Sequence, residues 1–189
     1  MPEASRITMG WRSLEEFIRA LEIRGELLRV GHPVDVRFEA GCIADRLVKM
    51  GGPAVVFDQP RLEDGSISRF PLAMNLFGTR ERTNLALGVD DPSEIGEMMV
   101  GLMKPDIGAI MKRPWTGIKL LRQGISMAPN RVSRGKCQQV RIDDPDVTKL
   151  PIPVTWPDDG GPFMTLPLVV TADPKSGAHN MGMYRSQVF

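Results

Sequence analysis

The sequence predicts a mixed α/β (α+β) chain that alternates helix and strand up to residue 103 and turns to strand and loop from residue 138 onward. Three observations carry this. Apolar residues recur at helical spacing in 13–21, 39–50 and 92–103. Short β-branched runs at 54–57 and 168–171 are bounded by glycine or proline. Between the two halves, Lys104-Pro105, Arg113-Pro114, Pro129-Asn130 and Arg134-Gly135-Lys136 cut residues 104–136 into short pieces suited to a connection.

Each element has a local reason. Ser13 and Glu16 form a capping-box pair, and Leu14, Phe17, Ile18 and Leu21 follow on one face, so a helix starts there. Gly25, which tolerates the left-handed conformation, stops it. Leu27–Val30 reads as a strand, and Pro33 separates it from a helix over Glu39–Met50 with Ile43, Leu47 and Met50 aligned. Gly51-Gly52-Pro53 ends that helix, and Ala54–Phe57 is a buried strand. Residues 61–69 are expected as an exposed turn and Pro71–Phe77 as a third strand. Thr79 caps a helix over Arg80–Leu87, and Pro92-Ser93 opens another to Met103. Beyond the connection, Gln139–Ile142, Leu168–Thr171 and Asn180–Phe189 are strand candidates. Asp173-Pro174-Lys175-Ser176-Gly177 supplies the turn that pairs the last two as a hairpin.

Composition excludes several classes. With 24 Lys+Arg against 23 Asp+Glu in 189 residues, the net charge of +1 gives no long-range field to concentrate nucleic acid or anionic lipid. The cluster Arg131, Arg134, Lys136 and Arg141 lacks interleaved aromatics and reads as a solvated face. No apolar run is long enough for a membrane span, and Cys42 and Cys137 form neither a disulfide framework nor a CxxC metal motif. The expected setting is cytoplasmic, with peripheral membrane contact left open. His32 and His179 have no ligand partners at metal-binding spacing, and neither Gly-Gly pair completes a phosphate-binding loop. The twelve methionines read as compliant packing.

Two stretches invite chemistry. Residues 151–167 crowd prolines and glycines around Trp156 and the pair Asp158-Asp159; this predicts a stiff loop in place of regular structure. The two acids either bind a metal or cap a turn, and spacing favours the turn. In the second stretch, 180–185, Asn180, Gly182 and Tyr184 face one side of a strand and Met181, Met183 and Arg185 the other. Gly182 leaves a gap where something large can approach. Arg185 needs a carboxylate or phosphate partner, and a structural ion pair and a ligand contact both satisfy it.

Trp156-Pro157-Asp158-Asp159-Gly160-Gly161-Pro162 followed by Asn180-x-Gly-x-Tyr-Arg185 resembles the UbiD-type (de)carboxylases, which use prenylated flavin mononucleotide (prFMN). Further likenesses occur in order at Leu21–Leu27, Ile43–Arg46, Gly51–Ala54 and Asn75-Leu76-Phe77-Gly78-Thr79-x-x-Arg82. The resemblance implies an N-terminal α/β domain over 1–128 and, over 129–189, the start of a β-rich split-barrel flavin-binding domain. It implies Asn180 as a ligand of the divalent metal, Mn2+, that bridges the flavin phosphate, with K+ as a further ion. Met183, Tyr184 and Arg185 would lie along the cofactor, Thr165 would approach it, and Arg185 would be the catalytic cation on the substrate carboxylate. The substrate would be an aromatic or α,β-unsaturated acid of the hydroxybenzoate kind, decarboxylated reversibly, the flavin serving as electron sink. A flavin prenyltransferase would supply the cofactor, and the family is expected to be homo-oligomeric. In the family the other metal ligands and the proton-donating acid lie downstream of this arginine, past the position of Phe189. The 189-residue chain is therefore expected to be inactive alone and to hold flavin weakly. The alternative is a non-catalytic binding or assembly module, or one subunit of a split UbiD-like enzyme.

Overall fold

The structure, a computed structural model, describes residues 10–104 and 132–189, together with Trp115, Gly117, Ile118, Leu121, Arg122 and Ile125 between them. These six positions are helical; the rest of the expected 104–136 connection, including Arg131, lies outside the described residues. The chain forms two compact units. One contains Trp11–Thr83 and Pro145–Phe189; the other draws its described residues from Gly10 and Asn84–Asp144.

The larger unit is built on a three-stranded sheet ordered β1-β3-β5, with β1 at Leu27–Val30, β3 at Ala54–Phe57 and β5 at Leu72–Met74. β1 and β3 run parallel, Leu27 opposite Ala54, and β5 returns antiparallel with Met74 opposite Val55. The crossover between the parallel strands carries β2 (Val34–Asp35) and α2 (Glu39–Lys49), as parallel pairing requires a long connection. All four β3 residues are buried, the central-strand signature of its unbroken Ala-Val-Val-Phe run. Phe57, Val55, Val34 and Ala40 form the core, flanked by Ile43, Leu47, Leu72 and Met74.

α1 (Leu14–Ile23) buries Phe17 and Leu21, while Leu14 stays exposed. Only half of the expected capping box forms. Ser13 Oγ accepts from the Glu16 N–H at 3.2 Å, but the Glu16 carboxylate reaches past Ser13 and accepts from the Arg12 N–H at 2.9 Å. The helix ends at Gly25 (φ 71°), with the Glu26 N–H on the Leu21 carbonyl at 2.9 Å.

Residues 61–69 are not simply an exposed turn. β4 (Pro60–Arg61) pairs parallel with β2, Arg61 bridges Ile67, and Leu62 and Ser68 are buried. The expected strand at Pro71–Phe77 is cut to three residues because Asn75 takes φ 56°, directing its amide back to the Pro53 carbonyl at 2.8 Å.

The C-terminal segment is strapped to the connection between β2 and α2. Val154, 2% exposed, bridges Arg37, donates its N–H to the Val36 carbonyl and accepts from the Phe38 N–H at 2.8 Å. Phe38 pays for this with φ 66°, a left-handed conformation a bulky residue seldom adopts. The strap lies so close to α2 that a Cβ on Gly41 would come within 3.2 Å of Thr155 backbone.

β6 (Phe163–Met164) pairs with β9 (Ser186–Gln187), and β7 (Leu168–Ala172) pairs with β8 (His179–Met183), both antiparallel. The hairpin is as expected: Asp173 Oδ1 accepts from the Lys175 and Ser176 N–H groups within its turn. Two expectations are corrected. The loop 151–167 holds a strand, because Phe163–Met164 finds β9 as a partner. The single strand over Asn180–Phe189 is broken at Tyr184-Arg185, where the chain changes partner.

In the smaller unit, α3 (Arg80–Leu87) runs into it from the larger one, and α4 (Ser93–Met103) follows. Thr79 Oγ1 caps α3 by accepting from the Arg82 N–H at 3.2 Å. The expected strand at Gln139–Ile142 is absent. Lys136–Gln138 forms a 3-10 turn, and Val140 and Ile142 are exposed with no strand to pair with; alternation without a partner does not make a strand.

Candidate functional site

The two C-terminal ladders are one long ribbon with a fault in it. Met164 faces Ser186 and Leu168 faces Met183, so three residues, Thr165–Pro167, span the gap against only two, Tyr184 and Arg185. This is a β-bulge, and Pro167 sits in it because it has no N–H to give a ladder. Bulges re-aim side chains, and this one gathers Thr165, Tyr184 and Arg185 at a single discontinuity.

Arg185 is held on two sides. Its Nη2 donates to both oxygens of Asp159 at 3.1 Å, and its guanidinium carbon stands 3.7 Å from the centre of the Phe163 ring. The Asp159 side chain is 12% exposed, that of Arg185 47%. Asp159 also closes the Trp156–Asp159 turn, accepting from the Trp156 N–H at 3.2 Å, as the turn-capping expectation has it for this residue. Gln187 Nε2 donates to the next carbonyl, Gly160, at 2.7 Å, and the Val188 N–H to Pro162 at 2.9 Å. Arg185 thus has a structural ion pair, while its Nε and Nη1 have no partner among the described residues.

The gap at Gly182 is filled from within the chain. A Cβ there would lie 2.6 Å from Tyr184 Cε2, so the tyrosine ring covers the glycine. Register then sorts the remaining candidates. Asn180 pairs with Thr171 and shares a face with Gly182 and the Tyr184 ring. Met183 pairs with Leu168 and Met181 with Val170; these four exposed apolar side chains share the opposite face. The structure therefore groups Asn180 with Tyr184 and puts the Met183 side chain on the other side. Thr165 is exposed in the bulge.

As donors, these residues suit a flavin better than they complete a metal site. Arg185 offers two N–H groups to an anion, Thr165 a hydroxyl, and Tyr184 an aromatic face. Asn180 offers one neutral oxygen, a fit ligand for a hard cation, but such an ion takes six or more oxygens. Among the described residues no group of three or more His, Cys, Asp or Glu is placed to hold a metal.

Sequence reasoning missed a second polar cluster. Arg82, 3% exposed, donates Nη1 to the Gly52 carbonyl at 3.0 Å, and Asn75 holds the adjoining Pro53 carbonyl. They lie beside an open cleft of about 350 Å³ lined by Gly25, Gly51 and Thr79. The Asn75…Arg82 motif was visible in the sequence, but the burial of its arginine was not.

The comparisons now bear on this frame. The family model for the 3-octaprenyl-4-hydroxybenzoate carboxy-lyase N-terminal domain matches residues 18–99, and that for the Rift-related domain of the same carboxy-lyase matches 130–189. The chain belongs to the UbiD family. Solved structures agree in fold. Vanillic acid decarboxylase of Sedimentibacter hydroxybenzoicus, closed form, aligns over 95% of this chain and 35% of its own, with TM-score 0.72 and 23% identity. The apo 3,4-dihydroxybenzoic acid decarboxylase of Klebsiella pneumoniae aligns over 93% and 34%, with TM-score 0.66 and 24% identity. An evolved dimeric form of the UbiD-class enzyme HmfF from Pelotomaculum thermopropionicum, in complex with prFMN, aligns over 93% and 35%, with TM-score 0.64 and 24% identity. This UbiD-family chain spans about a third of the length of those structures. Among its described residues, no helix is long and apolar enough to cross a membrane.

Proposed function

We propose that this chain is the N-terminal part of a prFMN-dependent decarboxylase acting reversibly on an aromatic or α,β-unsaturated carboxylic acid of the hydroxybenzoate kind. The observation that carries the reading is the held Arg185, which keeps unused N–H groups at the break between the two ladders. The family membership and the likeness to prFMN-bound and hydroxybenzoate-type enzymes support it.

When bound, prFMN supplies the electron sink that lets the bond to the departing CO2 break. The chain's own residues bind and orient. Arg185 pairs with the substrate carboxylate through the N–H groups that Asp159 leaves unused, from a cation fixed in its plane as a lysine is not. The Tyr184 ring and the Thr165 hydroxyl face the flavin, and Met183 contributes through its backbone. Asn180 would offer one oxygen to a divalent metal, taken as Mn2+, with K+ as a further ion. The proton donor is assigned to no residue of this chain. The domains divide as 1–128 and 129–189, the protein is cytoplasmic and homo-oligomeric, and a flavin prenyltransferase supplies its cofactor.

Residues 1–189 contribute to the site without completing it: Asn180 is one donor where an ion needs several, so the chain alone does not turn over. A second reading, a subunit of a split UbiD-like enzyme, is favoured by the exposed face of Leu168, Val170, Met181 and Met183, which suits burial against a partner. The test is reconstitution with prFMN and Mn2+ under nitrogen, followed by CO2 release from vanillate and 3,4-dihydroxybenzoate. Residues 1–189 should release none. A longer polypeptide or an assembly containing them should turn over and lose that activity in Arg185→Ala. Turnover retained by Arg185→Ala would refute the reading.

A further inference from the structure

We infer that Asp159 is a positioning residue for Arg185, fixing the plane of the guanidinium so that the N–H groups it leaves unused are presented to a carboxylate; this rests on the reading of Arg185 given above. An arginine in a bulge, half exposed, would otherwise sample many rotamers and lose that freedom on every binding event. Here that freedom is removed beforehand by two supports, Phe163 and Asp159. The Phe163 ring forms a floor under the guanidinium, and Phe163 is itself locked to Gln187 by the β6–β9 ladder. Asp159 forms the end stop, taking Nη2 symmetrically with both oxygens at 3.1 Å.

Asp159 suits this because it cannot swing. It is largely buried, accepts from the Trp156 N–H, and donates its own N–H to the Trp156 carbonyl at 3.1 Å. The neighbouring Gly160 carbonyl is tied to Gln187 on β9. The Trp156–Gly160 turn and the strand after Arg185 are thus bolted together on either side of the ion pair. Of the five N–H donors of a guanidinium, the pair engages Nη2 and leaves those of Nε and Nη1 without a partner among the described residues. As the arginine is half exposed, the pair adds little to stability, and its consequence is orientation.

The test uses the 189-residue chain labelled with 15N-arginine. The Arg185 Nε–H resonance, assigned by its absence in Arg185→Lys, should be sharp and slow to exchange in the wild type. Asp159→Asn should broaden it and speed exchange at least tenfold with other arginine signals unchanged, and Asp159→Glu should restore it. Phe163→Leu, which keeps the carboxylate, should give an intermediate signal and serves if Asp159→Asn fails to fold. Titration with 3,4-dihydroxybenzoate in the presence of FMN should show affinity for the acid about tenfold weaker in Asp159→Asn and recovered in Asp159→Glu. An Arg185 signal unchanged by Asp159→Asn overturns the inference, as does one unchanged by Phe163→Leu where Asp159→Asn fails to fold. If instead Arg185→Lys leaves acid binding untouched, the assigned role of Arg185 fails, while the resonance still decides whether Asp159 holds it.

Discussion

The ring of Tyr184 lies across Gly182, two residues back on the same ribbon and on the same face as Asn180. A side chain at position 182 cannot coexist with the ring where it stands. Gly182→Ala should therefore displace Tyr184 while lowering stability by under about 1 kcal/mol, because the ring is exposed and free to swing aside. Tyr184 is the chain's one tyrosine, so its ring resonances report the change without ambiguity. A ring unmoved in Gly182→Ala would show that the contact is incidental.

Val154 is the point where the C-terminal segment is fastened to the β1-β3-β5 unit. Val154→Ala removes two buried methyl groups from a site that is nearly closed to solvent, and the expected loss is about 2 kcal/mol. Cleavage within 145–163 by a protease should accelerate correspondingly, since the strap opens before the sheet does. Equal denaturant midpoints for Val154→Ala and wild type would contradict this placement.

Asp64 and Lys149 make an ion pair at 2.8 Å that joins the 61–68 turn to the C-terminal segment. The hydrogen bond from Lys149, followed by those from the Ser66 hydroxyl and N–H, holds the Asp64 carboxyl well below the usual carboxylate range. Its folded value is depressed, so its stabilisation is complete above the unfolded value of about 3.9 and is lost as pH falls below it. Lys149 is shifted upward by the same bond, so its share is complete below about 10.4 and is lost as pH rises through the raised folded value. The stability difference between wild type and Lys149→Ala should shrink below pH 4 and in high salt, because both groups are exposed. A difference unchanged at pH 2 would rule the pair out as its source.

What the sequence disclosed follows from how locally each feature is encoded. α1 is announced by Ser13 and by Gly25, β3 by four consecutive apolar residues, and the β7–β8 turn by Asp173 and Gly177; each signal acts within a few residues of itself. The pairs β2–β4 and β6–β9 are two residues long and joined across more than 20 positions, so no periodicity reveals them. Gln139–Ile142 fails for the opposite reason, a pattern present and its partner strand missing. For the site, motif order pointed to Asn180 and Arg185. Alternation along the strand already put Met183 on the face opposite Asn180, but that Arg185 leans on Asp159 and that Tyr184 fills the space over Gly182 depend on one bulge, which appears only when both ladders are in register.

The most direct test of the central claim, that the 180–185 segment is a flavin-facing wall, is a titration of residues 1–189 with prFMN followed by the flavin absorbance. Wild type should bind weakly but saturably, and Arg185→Ala, with an unchanged circular dichroism spectrum, should bind at least tenfold more weakly. Binding curves that coincide for wild type and Arg185→Ala would contradict the claim.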